Sequence, residues 1–165
     1  MKDSVSAFGF AYSGGSDRKG KSMLVFQNHT MDDTCVHAFR EYPLECCGVL
    51  LGLREAGSRR VYQTVPAQNR AGAGQRNTHF RIDPLELVRI ENLALEKGWE
   101  IVGFYHSHPD HEALPSDEDA AHMIAGYSYL ILSVGADGCE SAGSFEKTVQ
   151  DGCAIRSERI KTEEG

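Results

Sequence analysis

Short apolar runs separated by polar turns fill the first part of the chain. Met23 to Phe26 is an apolar run, which is typical of a buried strand. Cys46 to Leu53 and Arg59 to Val65 have the length and composition of two further strands, joined by a turn that contains Gly57 and Ser58. The pattern therefore predicts three strands, with a helix between the first and the second.

That first helix is predicted from a capping residue and from charges in its first turn. Thr30 is expected to be the N-cap, and Asp32 and Asp33 stabilise the positive end of the helix. The helix should run to about Arg40 and stop before Pro43.

A second helix begins at Asp83 to Glu86, where Asp caps, Pro occupies the first turn and Glu reaches back to the cap. Gly98 ends this helix because glycine tolerates the left-handed backbone of a helix end. One helical face is apolar and consists of Leu87, Ile90, Leu93 and Ala94.

The remainder of the chain again alternates strands with a helix. Glu100 to Tyr105 and the strongly apolar Tyr127 to Val134 predict strands, and a helix is expected from Ser116 to about Ala125. Two weaker strands follow around residues 141–149 and 153–160. The order of elements predicts an α/β fold with a mixed sheet flanked by helices.

Length and composition suit one domain with its own core, since the chain has 165 residues, of which 41% are hydrophobic. Residues 1–22 are rich in Gly, Ser and charge without periodicity, so we expect a flexible N-terminal extension followed by one domain over residues 23–165. A formal net charge of -7 disfavours nucleic acid as a partner, because an acidic surface repels phosphates.

Other bulk features point to the cytoplasm. No apolar stretch is long enough to span a bilayer, and no secretory signal is evident. The five cysteines are odd in number and include no CxxC pair, so reduced thiols are expected rather than a disulfide framework. Where two of them are adjacent, at Cys46 and Cys47, strand alternation predicts that one points inward.

The strongest functional signal lies in Gly103 to Asp119. His106 and His108 are two residues apart at the end of an extended segment, so alternation points both imidazoles to the same face. Asp119 follows one turn into a helix that a Pro-bounded loop folds back toward the strand end. Two imidazoles and one carboxylate suit one Zn²⁺ per chain and leave a fourth position for water, as in catalytic zinc sites.

A plainer interpretation of the same residues stays open. His-x-His pairs occur by chance, and Ser116 followed three residues later by Asp119 also fits a capping box that only starts a helix. The other histidines (His29, His37, His79, His111 and His122) have no ligand spacing of their own. His111 is expected to be exposed, and His122 is the one placed to support a ligand, one turn after Asp119.

The spacing of His106-Ser107-His108, seven residues, Ser116, two residues and Asp119 resembles the signature of the JAMM/MPN metalloprotease family. That family's pattern also requires a glutamate well upstream, beside a Gly-rich apolar strand. Tyr42 to Gly52 contains Glu45 in this setting and resembles the bacterial and archaeal branch.

Two further segments carry the same resemblance, Phe80 to Pro84 and Tyr129 to Val134, so that it covers roughly residues 23 to 150. It implies the cytidine-deaminase-like architecture of the MPN domain. It also implies hydrolysis of a peptide or isopeptide bond, with a ubiquitin-like or sulfur-carrier protein as the partner, cut after a C-terminal Gly-Gly.

Roles for single residues follow from the resemblance and the chemistry together. His106, His108 and Asp119 would hold the zinc. Glu45 would accept the water's proton and deliver it to the leaving amine, and Ser116 would hydrogen-bond the developing oxyanion. Without the downstream motif, Glu45 is more typical of a surface glutamate at a helix end.

Three alternatives stay open. One is a non-catalytic MPN scaffold, although such members usually lose ligands and this chain retains all of them. Another is a nucleotide-binding protein, because Gly15 to Ser22 satisfies the P-loop pattern; the strand-forming run at Met23 to Phe26, however, leaves little room for the helix that a P-loop requires. The third is a zinc amidase acting on small molecules.

Overall fold

The computed structural model describes residues 22–149 and 154–164. Within these residues the elements are strands β1 Met23–Gln27, β2 Cys47–Glu55, β3 Ser58–Ala67, β4 Glu100–Pro109, β5 Ser128–Gly135, β6 Gly138–Lys147 and β7 Ile155–Glu163, and helices α1 Thr30–Glu41, α2 Pro84–Glu96 and α3 Asp117–His122. Residues 1–21 lie outside this range. The predicted N-terminal extension over residues 1–22 therefore stays a prediction, and the P-loop pattern is described only at Ser22.

The strands form one closed sheet in the order β1-β3-β2-β4-β5-β6-β7, with β7 paired back to β1. Strand β1 runs parallel to both of its neighbours, and β4 runs parallel to β5. The remaining pairs are antiparallel. The prediction of a mixed sheet accompanied by helices is confirmed, whereas a cytidine-deaminase-like arrangement stays a prediction.

The two faces of strand β2 are both covered, which explains its continuous apolar sequence. Leu50 packs in a core cluster with residues of α1, and its neighbours Val49 and Leu51 pack with Ile90 and Ala94 of α2. The two adjacent cysteines alternate as predicted, with Cys46 in the α1 cluster. Cys47, on the opposite face, is buried as well.

Glycine at position 48 is required by a close approach of two strands. A Cβ added to Gly48 would lie 2.3 Å from the ring of Tyr105 on the adjacent strand β4. The Tyr105 hydroxyl in turn lies 2.9 Å from His37 Nδ1. Because the phenol is buried and needs an acceptor, His37 on α1 has a structural partner in the core.

The helix predictions hold in position but differ at the ends. Thr30 is the first helical residue of α1 and not its cap; the cap position is held by His29, which makes no capping side-chain bond. The cause is a left-handed turn at Asn28 (φ 54°), after which Thr30 Oγ1 donates back to the carbonyl of Gln27 at 2.7 Å.

Helix α2 starts as predicted, with the Asp83 carboxylate accepting from Leu85 N at 2.8 Å and Gly98 at φ 71° after its end. Glu86 does not reach back to the cap; its carboxylate accepts from Gln68 N at 3.3 Å. Helix α3 ends at His122, earlier than predicted, because Met123 turns extended and is buried beside Ile131. No helix among the described residues is both long and apolar enough to cross a membrane.

Candidate metal centre

A β-bulge decides which face of β4 carries the two histidines. Opposite β2, the register shifts so that Leu50 pairs with Gly103 and Leu51 pairs with Ile101, which leaves Val102 as an extra residue. Val102, at the bulge, and Tyr105, three residues later, both face the α1 core. His106 and His108 occupy the positions that alternate with Tyr105, so their side chains point away from the α1 core.

The side chains of His106, His108 and Asp119 converge on one point. His106 Nε2 lies 3.0 Å from His108 Nε2. It also lies 3.1 Å from Asp119 Oδ1, and His108 Nε2 lies 3.3 Å from Asp119 Oδ2. Among the described residues, this is the group of His, Cys, Asp or Glu side chains that could share a metal ion. Donor atoms held at about 2.0–2.1 Å in a tetrahedron lie about 3.3–3.4 Å apart, so the spacing fits.

The tautomer of His108 also suits metal binding. Its Nδ1 lies 3.0 Å from the backbone carbonyl of Glu112. A carbonyl oxygen can only accept, so Nδ1 carries the proton in the neutral ring and Nε2 presents its lone pair to the centre. The ring of His106 is held by stacking on Phe80, with 4.5 Å between centroids.

Asp119 is oriented by the start of α3. Ser116 Oγ accepts from Asp119 N at 3.1 Å, while Ser116 N and Ser116 Oγ both donate to Asp119 Oδ2 at 2.8 Å. The capping box considered in the sequence is thus present, and it is compatible with a ligand role. The cap presents the carboxylate to the two histidines.

Burial and the hydrogen bonds among the three donors shift the pKa of each one. Burial lowers the pKa of His106, which favours the neutral ring. Burial alone would raise the pKa of Asp119, but hydrogen bonds from His106 and His108 outweigh it and hold the pKa well below its usual range. Burial alone would lower the pKa of His108, but its hydrogen bonds to Asp119 and to the Glu112 carbonyl raise it. A cation that binds here therefore displaces the protons that the imidazoles share with Asp119.

Glu45 lines the same cavity as the three donors. Glu45 is only 6% exposed. Burial raises the pKa of its carboxyl to about 7, although the positive charge of His108 acts in the opposite direction. The backbone of Glu45, just before β2, is held by hydrogen bonds. Glu45 N donates to the carbonyl of Arg76 at 2.7 Å. Asn69 Nδ2 donates to the Glu45 carbonyl at 3.0 Å.

The cavity has a volume of about 790 Å³ and lies between the 68–83 loop and the segment that carries α3. His79 Nε2 on the loop lies 2.9 Å from Glu118 Oε2 on α3, and Thr78 Oγ1 lies 2.7 Å from His79 Nδ1. These contacts join the two walls at the rim of the cavity.

The histidines without ligand spacing take other positions. His111 and His122 line the cavity and are exposed, and His122 Nδ1 contacts the backbone carbonyl of Glu118 at 2.8 Å rather than a ligand side chain. The hypothesis that His122 supports Asp119 directly therefore gains no contact from the structure.

Two residues that bond to the segment around Glu45 were not singled out from the sequence. Ser107, between the two histidines, is completely buried. Strand alternation could have indicated this, because a residue between two that share one face points to the opposite face. A hydroxyl buried there needs a hydrogen-bond partner. Asn69 lies in an irregular loop, where no periodicity indicates a role.

Residues 27–145 match the sequence profile of the family described as prokaryotic homologs of the JAB domain. The chain belongs to this family. The JAB domain match begins at the last residue of β1 and ends within β6, so it includes every donor of the candidate centre and Glu45.

Curated relatives of this JAB-domain protein include peptidases. It is 38% identical over 92 residues to the desampylase of Haloferax volcanii. The aligned segment covers 55% of this chain and 63% of that protein. It is 36% identical over 117 residues to the CysO-cysteine peptidase of Mycobacterium tuberculosis. This segment covers 70% of this chain and 76% of that protein. The chain thus spans less than two thirds of the desampylase.

A solved structure shares the JAB-domain fold. The solution structure of a Desulfitobacterium hafniense protein superposes with a TM-score of 0.75 at 30% identity, covering 87% of this chain and 94% of that one.

Proposed function

We propose that this JAB-domain protein is a zinc-dependent peptidase or isopeptidase that cuts after the C-terminal Gly-Gly of a ubiquitin-like or sulfur-carrier protein. One observation carries the proposal: three metal donors and a buried carboxylate of raised pKa line a single cavity. The names of the relatives, desampylase and CysO-cysteine peptidase, support a hydrolase acting on a protein conjugate. In this proposal residues 23–165 form the catalytic domain.

His106, His108 and Asp119 would hold the metal. Two neutral imidazoles and one carboxylate are a donor set that zinc accepts readily, and three protein ligands leave one position for water or substrate. Zinc bound there supplies an activated water as nucleophile and a Lewis acid for the scissile carbonyl. The remaining steps belong to side chains of this chain.

Glu45 is the general base and then the general acid. A carboxyl whose pKa lies near 7 can take a proton from water and return it to the leaving amine without a large energetic cost in either direction. The backbone bonds from Asn69 and to Arg76 hold Glu45 in the cavity wall.

Ser116 stabilises the negative charge that develops on the carbonyl oxygen. Its hydroxyl is exposed at the cavity and donates to Asp119 Oδ2 in this conformation. With Asp119 engaged as a ligand, the Ser116 hydroxyl proton would be free to turn to the oxyanion, while Ser116 Oγ would still accept from Asp119 N. A donor of this kind typically contributes about 10²–10³ in rate.

A substrate tail ending in Gly-Gly suits the shape of the cavity. The His79–Glu118 contact joins the two walls at the rim, and glycines can pass beneath such a contact as an extended chain with no side chains to clash. The zinc amidase alternative shares the site and differs in substrate. A scaffold role is disfavoured because all three donors and Glu45 are retained, and nucleotide binding gains no support from the described residues.

The deciding experiment incubates the zinc-loaded protein with a Gly-Gly-ended sulfur-carrier protein in two forms. One form carries a short peptide after Gly-Gly, and the other is joined through Gly-Gly to a lysine side chain. Intact mass should show release of the free Gly-Gly end from at least one of them. Glu45→Gln should bind zinc without cleaving, and Glu91→Gln on the exposed part of α2 is the matched control. Cleavage by Glu45→Gln at the wild-type rate would refute the proposal.

A further inference from the structure

The backbone of Glu45 is held from two directions. Toward the loop, Glu45 N donates to the Arg76 carbonyl at 2.7 Å, and the Glu45 carbonyl accepts from Asn69 Nδ2 at 3.0 Å. Toward β4, the following residue Cys46 exchanges two hydrogen bonds with Ser107. The position of the Glu45 carboxylate is thus set partly by a loop that is not in the sheet.

Asn69 uses the full hydrogen-bonding capacity of its amide. Besides the bond to Glu45, Nδ2 donates to the His79 carbonyl at 2.9 Å. Oδ1 accepts from Ala71 N at 2.9 Å and from Arg81 N at 3.2 Å. An Asn side chain offers two donors and two acceptor lone pairs, and all four are used, so the orientation of the amide is fixed. An acidic or hydroxyl side chain at position 69 could not make the same four bonds.

Two of these bonds fall on either side of Phe80. The carbonyl of His79 and the N–H of Arg81 are the backbone groups that flank Phe80, whose ring stacks on His106. One amide therefore holds both the segment that carries Glu45 and the segment that packs on a metal ligand. Their separation depends on Asn69.

We propose that Asn69 is a positioning residue for hydrolysis, acting through Glu45 by fixing the distance between its carboxylate and the metal centre. This inference rests on the proposed function of Glu45 as the base. Asn69 itself does not touch the reacting atoms. Displacements of about 1 Å in a catalytic constellation cost about 10²-fold in rate, so loss of this restraint has a measurable effect.

Variants at Asn69 should still fold, because the sheet does not depend on them. Cys46 N donates to Ser107 Oγ at 2.8 Å and Ser107 N donates to the Cys46 carbonyl at 3.1 Å, so the start of β2 remains attached to β4. The metal ligands lie on β4 and α3, outside the loop. Zinc binding should therefore survive the change.

The test compares Asn69→Asp with Asn69→Ala. Asn69→Asp keeps Oδ1 for Ala71 and Arg81 and replaces both Nδ2 donors by an acceptor; Asn69→Ala removes all four bonds. Both should retain one zinc per chain and a KM within about twofold, while kcat falls about 10- to 100-fold. Arg70→Ala, at the exposed neighbouring position, is the matched control and should keep the wild-type kcat.

A double-mutant cycle shows whether Asn69 acts through Glu45. Glu45→Asp keeps a carboxylate but shortens the side chain, so the base is already displaced. If Asn69 positions the base, Asn69→Asp lowers kcat less in the Glu45→Asp background than in the wild type. An equal loss in both backgrounds overturns the inference, as does an unchanged kcat in Asn69→Asp or a loss of kcat that parallels a loss of zinc.

The outcomes separate this inference from the proposed function. If Glu45→Gln cleaves at the wild-type rate, the proposed function fails and the inference fails with it. If Glu45→Gln is inactive while Asn69→Asp keeps full kcat, the proposed function stands and only the role of Asn69 is wrong.

Discussion

Ser107 and Cys46 form a reciprocal pair of hydrogen bonds, with Cys46 N donating to Ser107 Oγ at 2.8 Å and Ser107 N donating to the Cys46 carbonyl at 3.1 Å. The pair joins the residue between the two histidines to the residue after Glu45. Both residues are buried. The contact therefore ties the candidate base to the candidate metal ligands through the backbone.

Replacing Ser107 by Ala should destabilise the protein. The N–H of Cys46 would lose its buried acceptor, and an unsatisfied buried donor costs about 1–3 kcal/mol. Denaturant unfolding of the metal-free protein measures the change in the free energy of unfolding. An unchanged value for Ser107→Ala would mean that the hydroxyl does not serve as this acceptor.

The raised pKa of Glu45 gives a pH-dependent prediction for stability. Burial raises this pKa from 4.5 to about 7, so between those values the folded state binds more protons than the unfolded state. The neutral carboxyl stabilises the folded state fully below pH 4.5, and this stabilisation is lost as the pH rises through 7. In the metal-free protein above pH 7, Glu45→Gln should therefore be more stable than the wild type, by up to about 3 kcal/mol.

Denaturant unfolding in a chelator at several values between pH 4.5 and pH 8 measures this difference. The two proteins should have similar stability at the acid end, and the advantage of Glu45→Gln should grow with pH. A stability difference that does not change with pH would show that the Glu45 carboxyl ionises normally in the folded protein.

The sequence predicted which side chains converge, because His106, His108 and Asp119 obey local rules. Strand alternation placed His106 and His108 on one face, and the capping pattern placed Asp119 in the first turn of α3. The face that they occupy was not predictable, because it depends on the bulge at Val102, which is a property of the pairing between β2 and β4. Local patterns fix which side chains share a face, whereas pairing fixes where that face points.

Other features escaped the sequence for a similar reason. Closure of the sheet requires β1 to pair with β7, which are far apart in the chain, and no local periodicity encodes such a partner. The four bonds of Asn69 reach residues on both sides of an irregular loop, so its importance exists only in three dimensions.

Zinc should stabilise the folded protein through the three donors. A ligand that binds only the folded state adds about 2.7 kcal/mol when its free concentration is 100 times Kd. Thermal unfolding with and without zinc measures this effect, which His108→Ala should largely abolish together with the zinc content. His111→Ala is the matched control, since His111 lines the cavity without belonging to the donor group. Equal loss of stabilisation in both variants would move the metal site elsewhere.

Ser116→Ala should lower both rate and stability, for separate reasons. Loss of a donor to the oxyanion is expected to reduce kcat about 10²- to 10³-fold. Loss of the N-cap acceptor at Asp119 N costs about 1 kcal/mol, which denaturant unfolding measures. Asp83→Ala removes the corresponding cap of α2, whose carboxylate accepts from Leu85 N outside the cavity. It should lose similar stability with no change in kcat. If the two variants lose stability and kcat in parallel, Ser116 acts only as a helix cap.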